Sequence, residues 1–199
     1  MPPTFIFVRH GEANHNVAYH EKGEIAFLDP EHRDAPLTEK GISQAKEAGK
    51  KLSEYHIMDI WASPLTRCIQ TAEEIFEECD VGNLYLHDNL LECLGGGHIC
   101  NMRQSKSAIQ KQHPIWNTRF LPDFPPDHID RETLDTLHNR MLMMVLYLNH
   151  LYKEQPSRAH ILVVSHRDAI LALTKKDLTN AEFVVMNMEE ILQAYINKI

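Results

Sequence analysis

The apolar run Thr4-Phe5-Ile6-Phe7-Val8 leads directly into Arg9-His10-Gly11-Glu12, and this junction constrains the chain more than any other stretch. Alternating β-branched and aromatic residues suit a buried strand, and a glycine straight after it lets the backbone turn and approach a ligand closely. His10 therefore stands at a strand's C-terminal tip. In open α/β sheets ligands bind at that edge, so a cationic Arg-His pair beside a small residue points to an anion site, phosphate above all.

Strand and helix signals alternate through the rest of the chain. Residues 13 to 36 are polar, contain Gly23, Pro30 and Pro36, and read as a long loop, which compact domains keep for function or tolerate as disorder. Thr38 can cap a helix, Leu37 and Ile42 sit at the two positions of a hydrophobic staple, and Ile42, Ala45, Gly49 and Leu52 predict a helix to about Tyr55. Ile57 to Ala62 reads as a second strand. Ser63-Pro64 offers an N-cap followed by a first-turn proline, predicting a helix from Pro64 to about Glu78 that carries Arg67 near its start. Leu84 to His87 is a third strand, after which Leu90-Leu91-Glu92 runs into three glycines. Residues 93 to 130 hold Pro114, Pro122, Pro125 and Pro126 and read as an insertion over one sheet edge, with a short helix near 103 to 112.

From Arg131 onward Leu134, Leu137, Met141, Met144, Leu148 and Leu151 recur in steps of three and four, the pattern of a long amphipathic helix whose methionines fill core space. Pro156 and Ser157 break it. His160 to Val164 is the most apolar strand and ends in Ser165-His166-Arg167-Asp168, so a second histidine stands at a strand tip. Ala169 to Leu173 reads as helical and Phe183 to Met188 as a last strand. The alternation predicts an α/β three-layer sandwich, a mainly parallel central sheet with helices on both faces.

With 199 residues and 43% hydrophobic content, the chain can bury one substantial core, which predicts a single domain over 1–199 with 93–130 as a lid or specificity insertion. A formal net charge of -8 argues against general nucleic-acid binding and confines any anion site to a local positive pocket. Cys68, Cys79, Cys93 and Cys100 form no tight pairs, and Met1-Pro2-Pro3 enters a strand without a signal-like segment, so a reducing, cytoplasmic setting is expected. The longest apolar stretch, Met141 to Leu148, is too short for a bilayer. The histidines form no His-Glu-x-x-His or Cys/His cluster, so neither a metal nor another cofactor is expected.

Four segments carry a resemblance in order and spacing: Arg9-His10-Gly11-Glu12 with Asn16; Leu37-Thr38-Glu39-Lys40-Gly41; Ser63-Pro64-Leu65-Thr66-Arg67 with Thr71-Ala72; and Val164-Ser165-His166. Together they resemble the histidine phosphatase superfamily, in its phosphoglycerate mutase-like branch. Leu91-Glu92 through His98-Ile99-Cys100-Asn101-Met102-Arg103, Arg131-Glu132-Thr133 and Asn180-Ala181-Glu182 are similar to a plant and fungal phosphoglycerate mutase-like subgroup. The resemblance implies that His10 is a nucleophile forming a phosphohistidine. It also implies that Arg9 and Arg67 clamp the phosphoryl oxygens, that His166, once protonated, adds a donor, and that Asn16 donates from the loop. Phosphoryl transfer asks for such groups because its catalysis is largely positioning and charge stabilisation.

By the same resemblance Glu92 protonates the leaving alkoxide and, once ionised, activates water. That role needs a raised pKa, from burial or a neighbouring carboxylate, against the pull of the arginines. His10 needs a partner at its second ring nitrogen, which the sequence does not identify. His15, His98, Asn101 and Arg103 read equally as substrate-side or ordinary polar loop residues; Arg103 is carried forward as a substrate-binding candidate. Two departures bear on function. Arg167-Asp168 follows the second histidine where relatives often have a small residue, and an Arg-His-Tyr-Gly segment typical of cofactor-dependent mutases is missing. The expected function is a metal-independent phosphomonoesterase acting on a small phosphorylated metabolite or nucleotide, with no nucleic-acid or membrane partner. The alternatives are a phosphomutase with the same residues and a catalytically weak phosphate- or phosphoprotein-binding module.

Overall fold

The computed structural model describes residues 3–126, 132–155 and 159–196. The start of the helical pattern at Arg131 and the break at Pro156-Ser157 lie outside the described residues. Strands β1 (Thr4–Arg9), β2 (Ile57–Ala62), β3 (Asn83–Leu86), β4 (His160–Ser165) and β5 (Phe183–Met186) form one sheet in the order β3-β2-β4-β1-β5. All neighbours are parallel except β5, which lies antiparallel on the edge beside β1. Val8 pairs with Val164 and Arg9 with Ser165, so His10 and His166 leave adjacent strands at the same level.

Successive side chains of a strand point to opposite faces, and here both faces are covered. Phe5, Phe7, Trp61, Ile161 and Val163 pack with the apolar sides of α5 (Leu134–Leu151), α6 (Arg167–Thr174) and α7 (Met188–Ile196). Ile6, Val8, Ile60, Ala62, Leu162 and Val164 pack with α2 (Glu39–Leu52) and α3 (Thr66–Phe76). The result is the predicted three-layer α/β sandwich. Met141 and Met144 fill the first of these cores.

Several local expectations change. Residues 13 to 36 are not one loop: α1 (Asn14–Lys22) opens the stretch, and 3-10 turns follow at Gly23–Leu28 and Pro30–His32. Its buried residues are His15 and Ala18, so α1 shows no apolar stripe for a period to reveal. Ser63 does not cap α3. That helix starts at Thr66, whose backbone N–H and hydroxyl both donate to the Asp34 carboxylate, at 2.7 and 2.8 Å. The last strand stops at Met186, and α7 follows it.

The insertion covers the free edge of β3, where the Asn117 backbone exchanges hydrogen bonds of 2.9 and 3.2 Å with Leu84 and Leu86. Its helix α4 (Lys106–Gln112), capped by Ser105, sends Ile109 into the core beside Trp116.

The tip of β1 is locked against the start of α2. The Glu12 carboxylate accepts from the Thr38 hydroxyl at 3.0 Å and pairs with Lys40 at 2.7 Å, while the Glu12 carbonyl accepts from the Thr38 N–H at 2.9 Å. Gly11 and Gly41 make this approach possible: a Cβ on Gly11 would lie 2.4 Å from the Gly41 carbonyl oxygen, and one on Gly41 would lie 2.0 Å from that of Glu12. Neither backbone oxygen has a flexible side chain's room to yield. Gly41→Ala is expected to cost roughly 1–3 kcal/mol of stability by overpacking. Urea unfolding checks this, and an unchanged midpoint would contradict the locked geometry.

Candidate active site

A cleft of about 620 Å³ opens at the C-terminal ends of β1 and β4, and Arg9, His10, Asn16, Arg67 and Glu92 all line it. His10 is 3% exposed, and its Nδ1 lies 2.7 Å from the carbonyl oxygen of Gly11. A carbonyl only accepts, so Nδ1 carries the proton and Nε2 keeps its lone pair. Burial, reinforced by Arg67 and Arg9, pushes the His10 pKa well below its ordinary value, and the ring stays neutral. Backbone bonds hold the residue: its N–H donates to Ser165, and its carbonyl accepts from Ala181 N–H at 3.2 Å and from the Asn180 amide at 3.0 Å. Asn180-Ala181 thus acts on His10 from the turn that leads into β5, with Ala181 in the left-handed region at φ 60°.

Arg67 projects from the first turn of α3 and is 1% exposed. Its guanidinium donates to the Cys100 carbonyl and to Asn101 Oδ1, both at 2.9 Å. Arg9 donates to the Leu178 carbonyl at 2.8 Å. The Nε atoms of both arginines are buried without a hydrogen-bond partner among the described residues. An unsatisfied buried donor costs about 1–3 kcal/mol. Both residues line the cleft, where a bound oxyanion would meet their positive charge.

The His166 ring stands 5.2 Å from that of His10, nearly edge-on, with Nε2 2.8 Å from Ser63 Oγ. Burial first, and Arg67 next, hold its pKa well below the usual histidine value. The ring is thereby held toward its neutral form, and a bound anion would draw its pKa upward.

Glu92 follows β3 and meets the N-terminus of α6. Its carboxylate accepts from the N–H groups of Cys93, Ala169 and Asp168 at 2.9, 3.1 and 3.3 Å. Burial and then the Asp168 carboxylate raise its pKa, outweighing those hydrogen bonds and Arg67. Asp168, the departure after the second histidine, is therefore an electrostatic neighbour of Glu92. Arg167 turns away to Asp177 at 2.8 Å. Arg140 of α5 pins the Glu92 segment: it donates to the carbonyls of Asn89 and Leu91, both at 2.9 Å, and of Glu92 at 3.2 Å, while pairing with Glu132.

Other candidates fall elsewhere. Arg103 does not reach the substrate side: it is 1% exposed, bidentate to Asp88 at 2.7 and 3.0 Å, and donates to the carbonyls of Gln104, Pro122 and Phe124. Its guanidinium anchors the insertion. Asn101 positions Arg67. Asn16 lines the cleft, but it accepts from Ala13 N–H at 3.0 Å and spends one amide hydrogen on His15. His15 is buried beside His10 and held far below its ordinary pKa by burial and Arg67. Sequence reasoning missed Asp34, Arg140 and the role of Asn180. Among the described residues no group of three or more His, Cys, Asp and Glu gathers as a metal cage, and no helix is long and apolar enough to cross a membrane.

Residues 5–184 match the family model described as histidine phosphatase superfamily (branch 1). The chain belongs to the histidine phosphatase superfamily. Among curated histidine phosphatases and mutases it is 28% identical to a 2,3-bisphosphoglycerate-dependent phosphoglycerate mutase of Lactobacillus johnsonii, over 96% of this chain and 91% of that one. It is 29% identical to a probable phosphatase of Schizosaccharomyces pombe over 82% of this chain, spanning 52% of that relative's length. Among solved structures the ecdysone phosphate phosphatase from Bombix mori, in complex with tungstate, matches with a TM-score of 0.69 at 14% identity, covering 94% of this chain and 90% of that one. A mycobacterial glucosyl-3-phosphoglycerate phosphatase matches with a TM-score of 0.60 at 20% identity, covering 93% and 90%. At these identities the structures establish the phosphoglycerate mutase-like fold alone.

The pairing of Glu92 with Asp168 makes a prediction independent of turnover. Asp168→Asn removes a repelling charge, so Glu92 should lose its proton at lower pH than in the parent chain. Carboxyl-carbon NMR of labelled glutamate, with Glu92→Gln to assign the signal, reads the shift directly. An unmoved titration would show that burial alone sets the Glu92 pKa.

Proposed function

We propose that this protein is a metal-independent phosphomonoesterase that hydrolyses a small phosphorylated metabolite or nucleotide through a phosphohistidine on His10. The observation that carries the reading is the fixed tautomer of His10, neutral and with Nε2 available, in a cleft that Arg9 and Arg67 also line. In the first step Nε2 attacks phosphorus, a P–N bond forms and the ester P–O bond breaks. Glu92, whose burial and Asp168 neighbour raise its pKa and favour the acid form, gives its proton to the departing alkoxide. In the second, the Glu92 carboxylate takes a proton from water, whose oxygen attacks phosphorus. The P–N bond breaks, inorganic phosphate leaves, and Glu92 is again protonated. Arg9 and Arg67 face the oxygens on which charge is spread in each transition state.

The match to the Lactobacillus mutase across nearly its whole length supports a second reading, a phosphomutase using the same residues. A mutase must shield its phosphoenzyme from water and return the phosphoryl group to a sugar-acid hydroxyl. In the hydrolase reading the 93–130 insertion sets specificity, since it brings His98, Cys100 and Asn101 to the cleft. Four free cysteines and the acidic net charge support a single-domain cytoplasmic protein with small-molecule rather than nucleic-acid or membrane partners.

The purified chain should hydrolyse p-nitrophenyl phosphate in the presence of a chelator, and His10→Ala should lose at least roughly a thousand-fold in kcat/KM. Because the acid form of Glu92 is required, kcat/KM should fall as pH rises through its elevated pKa. Undiminished hydrolysis by His10→Ala would overturn the mechanism. Isomerisation of 3-phosphoglycerate with a bisphosphate primer, outpacing hydrolysis, would favour the mutase, and phosphate binding without turnover would favour a binding module.

A further inference from the structure

The outer part of the cleft is built differently from its phosphate end. Tyr19 of α1 and Phe27 of the turn after it stack face to face, with ring centroids 5.0 Å apart and planes 4° from parallel. Phe27 also meets His98 of the insertion at 5.1 Å and His15 at 6.0 Å. His15 in turn lies 5.8 Å from His10. A run of rings therefore leads from the nucleophile to the mouth, where Tyr19 is 41% exposed.

The charges along this wall are equally specific. Beyond Arg9 and Arg67, the remaining arginine or lysine among the described lining residues is Arg167, and it is occupied by Asp177 at 2.8 Å and Asp168 at 3.5 Å. Glu24 and Asp168 line the same space, with His20 at its rim. Among the described lining residues, a second anionic group on the substrate would meet carboxylates and no further unpaired guanidinium or ammonium. A flat uncharged group would meet aromatic faces that are already held in place by one another, so little ordering is needed to bind it.

We infer that the alcohol side of the substrate carries an uncharged planar ring, as in a nucleoside 5′-monophosphate, which lies against the Tyr19–Phe27–His98 wall while its phosphate sits at His10. The inference rests on the phosphomonoesterase reading and names the substrate class for it. Two ring-to-ring steps separate Phe27 from His10, so the ligand ring must be spaced from the phosphate, as a sugar spaces a base. A short sugar acid phosphate has no ring for the wall and brings a carboxylate to Glu24 and Asp168.

Adenosine 5′-monophosphate and ribose 5-phosphate test this, because both carry the phosphate on a primary 5-hydroxyl and differ chiefly in the base. The nucleotide should be used at least about ten-fold better in kcat/KM, mainly through a lower KM, in line with the worth of one or two aromatic contacts. Phe27→Leu, which keeps apolar volume and so protects folding, should shrink that ratio roughly two- to ten-fold, whereas Tyr19→Phe should preserve it. Equal use of the two esters, a ratio unchanged by Phe27→Leu, or better use of 3-phosphoglycerate than of the nucleotide would overturn the inference and leave the phosphatase standing. Turnover of neither ester nor of p-nitrophenyl phosphate would overturn the phosphatase reading, and this one with it.

Discussion

The hydrogen bond from His10 Nδ1 to the carbonyl of Gly11 is the contact on which the site depends. It decides which nitrogen holds the proton, and therefore which can attack. The Gly11 peptide is fixed in turn, since its N–H donates to Thr71 Oγ1 at 3.0 Å and that hydroxyl donates to the Arg67 carbonyl at 2.7 Å. One turn of α3 thus supports both the orientation of the nucleophile and the base of its clamp. The glycine-to-glycine approach with α2 fixes the same peptide from the other side, and Glu12, which performs no chemical step, ties the two segments together.

Electrostatics divides the cleft into groups with opposite protonation demands. Burial, then Arg67 and Arg9, keeps His10 neutral, the state a nucleophile needs, and burial with Arg67 holds the His166 pKa down as well. Burial beside Asp168 favours the acid form of Glu92, the state a proton donor needs. Two titratable groups driven apart by their surroundings is a recurrent way for one site to run both halves of an acid-base reaction. The arginines also oppose the raised pKa of Glu92, and the position of Asp168 at the start of α6 offsets part of that opposition.

The parts of this arrangement that follow from periodicity and element ends were legible in the sequence. Strand tips at His10 and His166, the helix that starts near Arg67, and a sheet covered on both faces all follow from apolar patterning. What escaped has no such signature. The partner of His10 is a backbone carbonyl, which every residue possesses. Asp34 caps α3 from more than thirty positions away, and Ser63, the local candidate, goes instead to His166. α1 buries too little apolar surface to show a period. Arg103 illustrates the same limit from the other direction: its guanidinium reads as a ligand-binding group in the sequence, yet carbonyl oxygens and the Asp88 carboxylate take up its donors.

The central claim is that His10 accepts the phosphoryl group, and the most direct measurement is alkaline-quenched peptide mapping by mass spectrometry during turnover of a phosphomonoester. The account predicts one phosphoryl group per chain, stable in alkali and labile in acid, on the peptide containing His10. A phosphoryl group on any other side chain, or its persistence in His10→Ala, would contradict it.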